Sequence, residues 1–211
     1  MTIDLAMKLN PRHTALIIVD VQNDFCHSDG VFGRRGGDMS TIQQAARRIS
    51  PMVDLSHEVG VPTIFIRMIN SDWTLDDATR EQWRSLRPGG GPNVCWEGTW
   101  GTEFYHVAPS PVDRVVTKYR YSAFLYTELE LVLRCKETKT LVVTGVMTNI
   151  CVHATVRDGF IRGFHVVVPE DCCASSLPED HQHTLKDMSG KLATIVSSAT
   201  LREVWTGHGG E

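Results

Sequence analysis

The sequence predicts an α/β fold, a doubly wound six-stranded parallel sheet with helices on both faces. Apolar runs rich in β-branched residues recur along the chain, and they are continuous rather than alternating, as expected of strands buried on both faces. Segments with helical spacing separate these runs. Strand–helix–strand units of this kind form a parallel sheet through right-handed crossovers.

Six runs are predicted strands because each is short, apolar and followed by a turn or a helical segment. The fourth, TLVVTGV, is apolar and β-branched almost throughout, which predicts a fully buried position in the sheet. In chain order the predicted strands are Thr14–Asp20, Pro62–Arg67, Asp113–Lys118, Thr140–Val146, His165–Pro169 and Ala193–Ser197.

The predicted helices follow from apolar residues three and four positions apart. Ile42, Ala46 and Ile49 have this spacing after the first strand, and Gly60 ends the segment. Pro51 lies inside it and predicts a kink or a break. In chain order the predicted helices are Met39–Gly60, Phe124–Cys135, Asn149–Gly163, Glu179–Ser189 and a last one near Ser198–Trp205.

Length and composition exclude several classes of protein. A chain of 211 residues can bury a sizeable core, and we expect a single domain over residues 1–211. The net charge of −4 provides no basic field, so we expect no nucleic-acid partner. No apolar run has the length of a membrane span and the N-terminus lacks a secretory pattern, so we expect no membrane partner. Six cysteines without extracellular spacing predict free thiols in a reducing, cytoplasmic compartment.

One segment, from about Met68 to Pro111, departs from the alternation of strands and helices. It has little periodicity, and it contains three consecutive glycines and four of the five tryptophans. Long segments of this kind are typical of lids and binding loops, but tryptophans are also enriched at subunit contacts, and the sequence leaves both open. The candidate lid residues are Trp73, Trp83, Arg84 and Arg87.

Three reactive side chains are predicted to meet at the carboxyl edge of the sheet, where doubly wound folds bind their ligands. Asp20 ends the first strand, Lys118 ends the third and Cys151 follows the fourth. A partly desolvated carboxylate can accept the thiol proton, and the lysine would hold both anions in place. Each residue also has an ordinary interpretation, as a turn former, a solvated lysine or a small buried cysteine.

The predicted nucleophile would lie in the first turn of a helix. Thr148 or Asn149 can cap this helix, and the free N–H groups and the macrodipole at its start favour a thiolate over a thiol. Backbone N–H groups around Met147 and Cys151 would stabilise a tetrahedral oxyanion. Gly145 is expected to loosen the backbone just before this turn.

The stretches VDVQNDFC, VTKYRYSAF and TGVMTNICVHATVRDG resemble the three motifs of the isochorismatase-like cysteine hydrolases. The resemblance extends from about His13 to about Leu201 and implies a doubly wound α/β sandwich with an Asp–Lys–Cys triad. It assigns Asp20 as general base, Lys118 as electrostatic partner and Cys151 as nucleophile. It also implies a cis peptide bond between Val146 and Met147.

Within this family, KYRYSAF and TNICVHATVRDGF look most similar to the branch that acts on ureidoacrylate, biuret and related ureido compounds. The resemblance implies hydrolysis of a C–N bond in a small polar amide through a thioester or thiocarbamate, without a cofactor. Such a substrate needs amide and guanidinium partners. Each of three candidates also has an alternative role. Arg67 could form a structural ion pair, Tyr121 could serve in packing, and Asn149 could hold the backbone. The candidate substrate-binding residues are Gln22, Asn23, Arg67, Tyr121 and Asn149.

Nicotinamidase-like members of the family carry a metal site with an Asp-x-His pair after the first strand. Residues 30–68 contain Asp38 and His57 but no such pair, and His181 and His183 do not share a helix face, so we expect no metal. Two other functions stay open: a nicotinamidase-like or other acyl-amide hydrolase, and a non-catalytic or redox module. The resemblance also implies a homodimer or a homotetramer.

Overall fold

The computed structural model of the chain describes residues 4–85 and 94–207. Seven strands form one sheet in this part of the chain. All six predicted strands are present, and the seventh is a two-residue strand that is too short to leave a periodic signal in the sequence. The strands are β1 Thr14–Val19, β2 Thr63–Met68, β3 Arg114–Lys118, β4 Thr140–Val146, β5 His165–Pro169, β6 Cys173–Ala174 and β7 Thr194–Val196.

The sheet is parallel throughout, and its order is β3-β2-β1-β4-β5-β7, with β6 pairing to the end of β4. The chain winds outward in one direction from β1 through β2 to β3, and in the other direction from β4 onward. The predicted fold class, a doubly wound parallel sheet, is therefore confirmed. Its switch point lies between β1 and β4, which is where such folds place their ligand sites.

The central strands are buried along their whole length, which explains why their sequences are continuously apolar. Helices surround the sheet: α4 packs on β1, β2 and β4, and α7 packs on β4 and β5. The helices are α1 Leu5–Lys8, α2 Asn23–Cys26, α3 Val31–Arg34, α4 Ser40–Glu58, α5 Asp77–Ser85, α6 Leu129–Cys135, α7 His153–Ile161, α8 Pro178–Met188 and α9 Ser198–Gly207, with 3₁₀ turns at Pro11–His13, Trp100–Thr102 and Glu170–Cys172 and a π turn at Thr148–Val152.

Pro51 does not break its helix, so the predicted break is wrong, and the alternative, a kink, stays a prediction. α4 is a single helix through this residue, and its buried face includes Ile42, Ile49 and Met52. Pro51 and Arg47, whose carbonyl loses its helical partner, are both exposed, so water can bond to the freed oxygen. The burial of the apolar face outweighs the lost hydrogen bond.

The helix predicted from Phe124 begins only at Leu129. A helix that started at Phe124 would use the Ala123 carbonyl and the Leu129 N–H in its own backbone hydrogen bonds. The Thr127 hydroxyl occupies both groups instead, because it donates to the Ala123 carbonyl and accepts from the Leu129 N–H. Tyr126 has a positive φ of 60°, which a right-handed helix does not allow. Local side-chain hydrogen bonds of this kind compete with helix formation.

The segment from Met68 to Pro111 has some regular structure that its composition did not predict. α5 lies within it, and its sequence, DATREQWRS, has only one large apolar residue, so its helical periodicity is weak. Among the residues that the structure describes, no helix combines the length and the apolar character needed to cross a bilayer.

Candidate active site

The side chains of Asp20, Lys118 and Cys151 meet at the carboxyl edge of the sheet. Lys118 Nζ lies 2.8 Å from Asp20 Oδ2 and donates to Cys151 Sγ at 3.3 Å. Asp20 follows β1 and Lys118 ends β3, so β2 lies between their strands. Neighbouring strands are about 4.8 Å apart, so two such spacings separate β3 from β1. A side chain as long as lysine is needed to reach across that distance. The three residues that the sequence placed at one edge are thus in contact.

Lys118 is fully buried and its ammonium group is held from several directions. Besides the carboxylate and the thiol, Nζ donates to the carbonyl oxygens of Arg120 at 2.9 Å and Tyr121 at 3.2 Å. The Arg120 guanidinium in turn pairs with Asp76 at 2.8 Å, just before α5. The ammonium therefore has a fixed position between Asp20 and Cys151.

Burial of the Cys151 thiol opposes the thiolate that the helix start was expected to favour. Burial raises its pKa to about 12; Lys118 lowers it, while the charge of Asp20 and a hydrogen bond to Asp20 raise it. Desolvation is the largest of these effects, because the residue is only 5% exposed. A thiol with a raised pKa needs a nearby base before it can act as a nucleophile.

The pKa values of the two neighbouring ionisable groups, Asp20 and Lys118, are both shifted upward. Burial raises the pKa of the Asp20 carboxyl above its usual range, although Lys118 opposes this effect. Burial alone would lower the pKa of Lys118, but Asp20 and Cys151 outweigh it and the net shift is upward. Lys118 stays a cation, and Asp20 is a stronger base than an ordinary carboxylate.

The nucleophile turn, Met147–Val152, differs from the predicted capped α-helix. Thr148–Val152 forms a π turn that leads into α7, and no side chain caps it. The N–H groups of Ile150 and Val152 both donate to the Met147 carbonyl. The role of the Met147 and Cys151 N–H groups as oxyanion donors stays a prediction. The peptide bond between Val146 and Met147 is cis, as the resemblance implied.

Gly145 allows β4 and β1 to approach closely just before this turn. Its φ is +110°, and a Cβ atom there would lie 2.1 Å from the Val19 carbonyl oxygen. Asp20, which directly follows Val19 at the end of β1, also has a positive φ of 53°. The glycine is thus needed for its missing side chain as much as for its backbone freedom.

Replacing Gly145 by alanine is expected to lower the free energy of unfolding by about 3 kcal/mol, because the methyl group collides with backbone that cannot move aside. Urea unfolding would measure it. Gly163→Ala is the matched control, since Gly163 has a φ of +86° but no atom within 4 Å of the added Cβ. That variant should lose only about 1 kcal/mol. Equal losses in the two variants would contradict the steric explanation.

A cavity of about 90 Å³ opens in front of Cys151. Its walls are mainly apolar and aromatic, and of Asp20, Lys118 and Cys151 only Cys151 is among the described lining residues. Phe25 belongs to the VDVQNDFC motif and was within reach of sequence reasoning, whereas Phe32 and Val94 carried no signal. The described lining residues are Phe25, Phe32, Met68, Asn70, Trp83, Val94, Tyr121, Met147, Ile150 and Cys151.

Asp24, which sequence reasoning did not select, joins two walls of this cavity. Its carboxylate accepts the N–H of Cys95 at 2.7 Å and that of Val31 at 3.2 Å, beside the lining residues Val94 and Phe32. The side chain is buried, so these hydrogen bonds replace its solvation. Like Phe25, Asp24 belongs to the VDVQNDFC motif, and this was the signal that could have identified it.

Four of the five candidate substrate-binding residues lie outside the cavity lining and are bonded elsewhere. Gln22 bonds the Met68 backbone and the Thr102 carbonyl, and Asn23 donates to the Trp100 carbonyl. Arg67 donates to Thr117 Oγ1 at 3.4 Å, and the Asn149 amide donates to Asp180. These contacts favour a supporting role for Gln22, Asn23, Arg67 and Asn149.

The fifth candidate, Tyr121, lines the cavity, and its hydroxyl accepts a hydrogen bond from Trp83 Nε1 at 3.4 Å. Trp83 is thus the lid candidate that lies over the site, whereas Trp73 is 96% exposed and lines no part of it. The side chain of Arg84, and Arg87 as a whole, lie outside the described residues. A subunit contact through this segment stays a prediction.

The histidines considered as metal ligands are separate from one another. Asp38 accepts the Ser40 N–H at the start of α4, whereas His57, at its end, pairs with Asp113 at 2.7 Å. His181 bonds Thr148, behind the nucleophile turn. Within residues 4–85 and 94–207, no three His, Cys, Asp or Glu side chains are grouped as they would be to hold a metal ion. The expectation of a metal-free site stays a prediction.

Comparisons with known proteins agree with this geometry. The model of the isochorismatase domain matches residues 14–200. The ureidoacrylate amidohydrolase RutB of Methylobacterium radiotolerans is 32% identical over 184 residues, covering 81% of this chain and 70% of that protein. A cysteine hydrolase from Pseudomonas syringae superimposes with a TM-score of 0.82 at 23% identity, covering 94% of both chains.

The nicotinamidase/pyrazinamidase PncA of Bacillus subtilis superimposes with a TM-score of 0.73 at 27% identity. The match covers 88% of this chain and 100% of the Bacillus subtilis chain. The Pseudomonas syringae structure shares the fold, and the family model covers the sheet and the residues Asp20, Lys118 and Cys151. The resemblance drawn from the three motifs is confirmed. The chain belongs to the isochorismatase family and is a hydrolase.

Proposed function

We propose that this protein is a cysteine amidohydrolase that cleaves a C–N bond of a small ureido or carbamoyl amide. The observation that carries the proposal is the contact of Lys118 Nζ with both Asp20 and Cys151 at the end of the cavity. A buried carboxylate, a fixed cation and a thiol that lines a cavity are the parts that covalent hydrolysis of an amide needs. The similarity to ureidoacrylate amidohydrolase supports the substrate class.

The reaction would start with transfer of the Cys151 proton to Asp20 as the sulfur attacks the carbonyl carbon. The resulting oxyanion would be held by backbone N–H groups of the nucleophile turn, with those of Met147 and Cys151 as the proposed donors. Collapse of this intermediate breaks the C–N bond, and Asp20 returns its proton to the leaving nitrogen, which departs as ammonia or an amine. The product on the enzyme is a thioester or a thiocarbamate.

Hydrolysis of this intermediate would use the same carboxylate. Asp20 takes a proton from water as the water oxygen attacks the acyl carbon, and the C–S bond breaks to release an acid or a carbamate. Asp20 then returns the proton to the sulfur. Lys118 keeps its charge throughout and compensates whichever of the two groups is anionic.

A nicotinamidase-like activity is the second candidate, and a specific observation favours it. The described cavity lining is apolar and aromatic, with Phe25, Phe32 and Trp83 in its walls, which suits a flat aromatic acyl group better than a polar ureido group. The structural likeness to a nicotinamidase/pyrazinamidase points the same way. The two candidates share the triad and differ in the acyl group.

A substrate panel would separate these candidates. Ureidoacrylate, biuret, N-carbamoyl amino acids and nicotinamide would be compared by ammonia release, before and after treatment with EDTA. We expect kcat/KM for a ureido or carbamoyl compound to exceed that for nicotinamide at least about 10-fold, a difference of about 1.4 kcal/mol in transition-state binding. Preference for nicotinamide would replace the first candidate by the second. Loss of activity with EDTA, restored by zinc, would contradict a metal-free site.

A further inference from the structure

The nucleophile turn has two sides, and only one of them faces the cavity. Met147, Ile150 and Cys151 line the cavity, whereas Thr148 and Asn149 do not. The latter two side chains bond instead to residues that follow β6 and begin α8. This second side has no part in the chemistry proposed above.

Thr148 is completely buried, and its hydroxyl lies 2.8 Å from Nδ1 of the half-buried His181. Among the described residues, His181 is the hydrogen-bond partner of the Thr148 hydroxyl. The hydroxyl proton is satisfied if Nδ1 accepts it, which assigns the imidazole proton to Nε2. His181 is then neutral, in agreement with the downward shift of its pKa, which burial causes and Glu170 partly opposes.

Asn149 is held at three atoms. Its backbone N–H donates to Ser175 Oγ at 3.3 Å, Ser175 Oγ donates to Asn149 Oδ1 at 3.0 Å, and Asn149 Nδ2 donates to Asp180 Oδ2 at 3.2 Å. Ser175 is buried and follows β6, which pairs with the end of β4. The bonds therefore connect the nucleophile turn to the sheet as well as to α8.

The π turn needs such support because it is not capped by a side chain of its own. A shift of the turn by about 1 Å can lower a rate about 100-fold when the reacting atoms must be aligned. We propose that His181, Ser175 and Asp180 are positioning residues that fix the nucleophile turn, so that Cys151 stays against Lys118 and the turn N–H groups stay at the cavity. The inference rests on the proposed role of Cys151 as nucleophile.

The test compares variants that remove one hydrogen bond with variants that restore it. Thr148→Val and His181→Leu remove the bond; Thr148→Ser keeps the hydroxyl, and His181→Asn places an amide oxygen close to the position of Nδ1. His183→Leu is the matched control, since His183 is exposed on the same helix and outside the network. The readouts are kcat and KM on the best substrate of the panel, the thermal midpoint, and the rate at which iodoacetamide labels Cys151, followed by mass spectrometry.

We expect Thr148→Val and His181→Leu each to lower kcat about 10-fold to 100-fold with little change in KM, because alignment rather than binding is lost. Cys151 labelling should slow as well, since the sulfur leaves the cation that stabilises its thiolate. The double variant should lose no more than the worse single variant, because both changes break the same bond. Thr148→Ser and His181→Asn should recover most of the rate, and His183→Leu should equal the wild type.

A lower thermal midpoint with unchanged kcat and unchanged labelling would show that the network only stabilises the fold, and would overturn the inference. If Thr148→Val does not fold, His181→Leu tests the same bond from its half-buried end. The labelling rate needs no substrate, so it tests the turn even if no compound of the panel is hydrolysed. Full turnover by a Cys151→Ser variant would instead contradict the proposed function.

Discussion

Replacing Cys151 by serine is expected to lower kcat about 1000-fold or more while the protein stays folded. Burial raises the pKa of the thiol to about 12, and in the proposed mechanism Asp20 removes its proton. A serine hydroxyl is a still weaker acid and a poorer nucleophile, and one buried carboxylate is too weak a base to activate it. The change removes little bulk from a site that accepts polar atoms, so the free energy of unfolding should stay within about 1 kcal/mol of the wild type.

Three measurements on this variant separate chemistry from folding. Ammonia release gives the rate, urea unfolding gives the stability, and rapid quenching of the wild type with mass spectrometry should reveal an acyl or carbamoyl group on Cys151. Cys135→Ser is the control, since Cys135 is an exposed free thiol and should be dispensable. Turnover by Cys151→Ser within about 10-fold of the wild type would rule out covalent catalysis by this residue.

The strands could be predicted because a parallel strand buried on both faces must be apolar at every position. β1 and β4 are buried at every position and apolar at most of them, and the order of the sheet then brings Asp20 and Cys151 to one edge. β6 could not be predicted because two residues show no periodicity. α5 could not be predicted because its sequence is polar and shows no apolar periodicity. Helix propensity alone is a weak signal, since tertiary packing often determines whether a segment is helical.

The reactive residues of the candidate site could be predicted from the sequence, whereas the residues that line its cavity could not. Position at a strand end placed Asp20 and Lys118, but position beside a reactive residue does not say where a side chain points. Gln22, next but one to Asp20, bonds backbone on two other segments instead of lining the cavity. Phe32 and Val94 reach the cavity only through packing between distant loops. The thiol's high pKa likewise follows from burial, which only the folded structure reveals.

Lys118→Met should abolish turnover and lower the free energy of unfolding by about 3–5 kcal/mol at neutral pH, because it leaves the Asp20 carboxylate buried without its partner. The loss should depend on pH with a definite sign. Burial already holds the pKa of Asp20 above its unfolded value, and Lys118 is the main group that lowers it, so the variant raises it further. A carboxyl with a raised folded pKa binds its proton more tightly when folded. Stability is therefore lost as the pH rises from the unfolded pKa, near 4, through the folded pKa.

Urea unfolding of Lys118→Met and wild type between pH 4 and pH 8 would measure this, and the deficit should be smallest at pH 4. Lys139→Met is the control, since Lys139 is exposed and its replacement should stay within about 0.5 kcal/mol. Asp20→Asn/Lys118→Met removes both charges and should regain much of the stability while remaining inactive. That result would assign the loss to an unpaired carboxylate rather than to lost packing of the lysine chain. A deficit that does not change with pH, and that the double variant retains, would instead assign it to packing, because a methionine that fits poorly is equally unfavourable at any protonation state of Asp20.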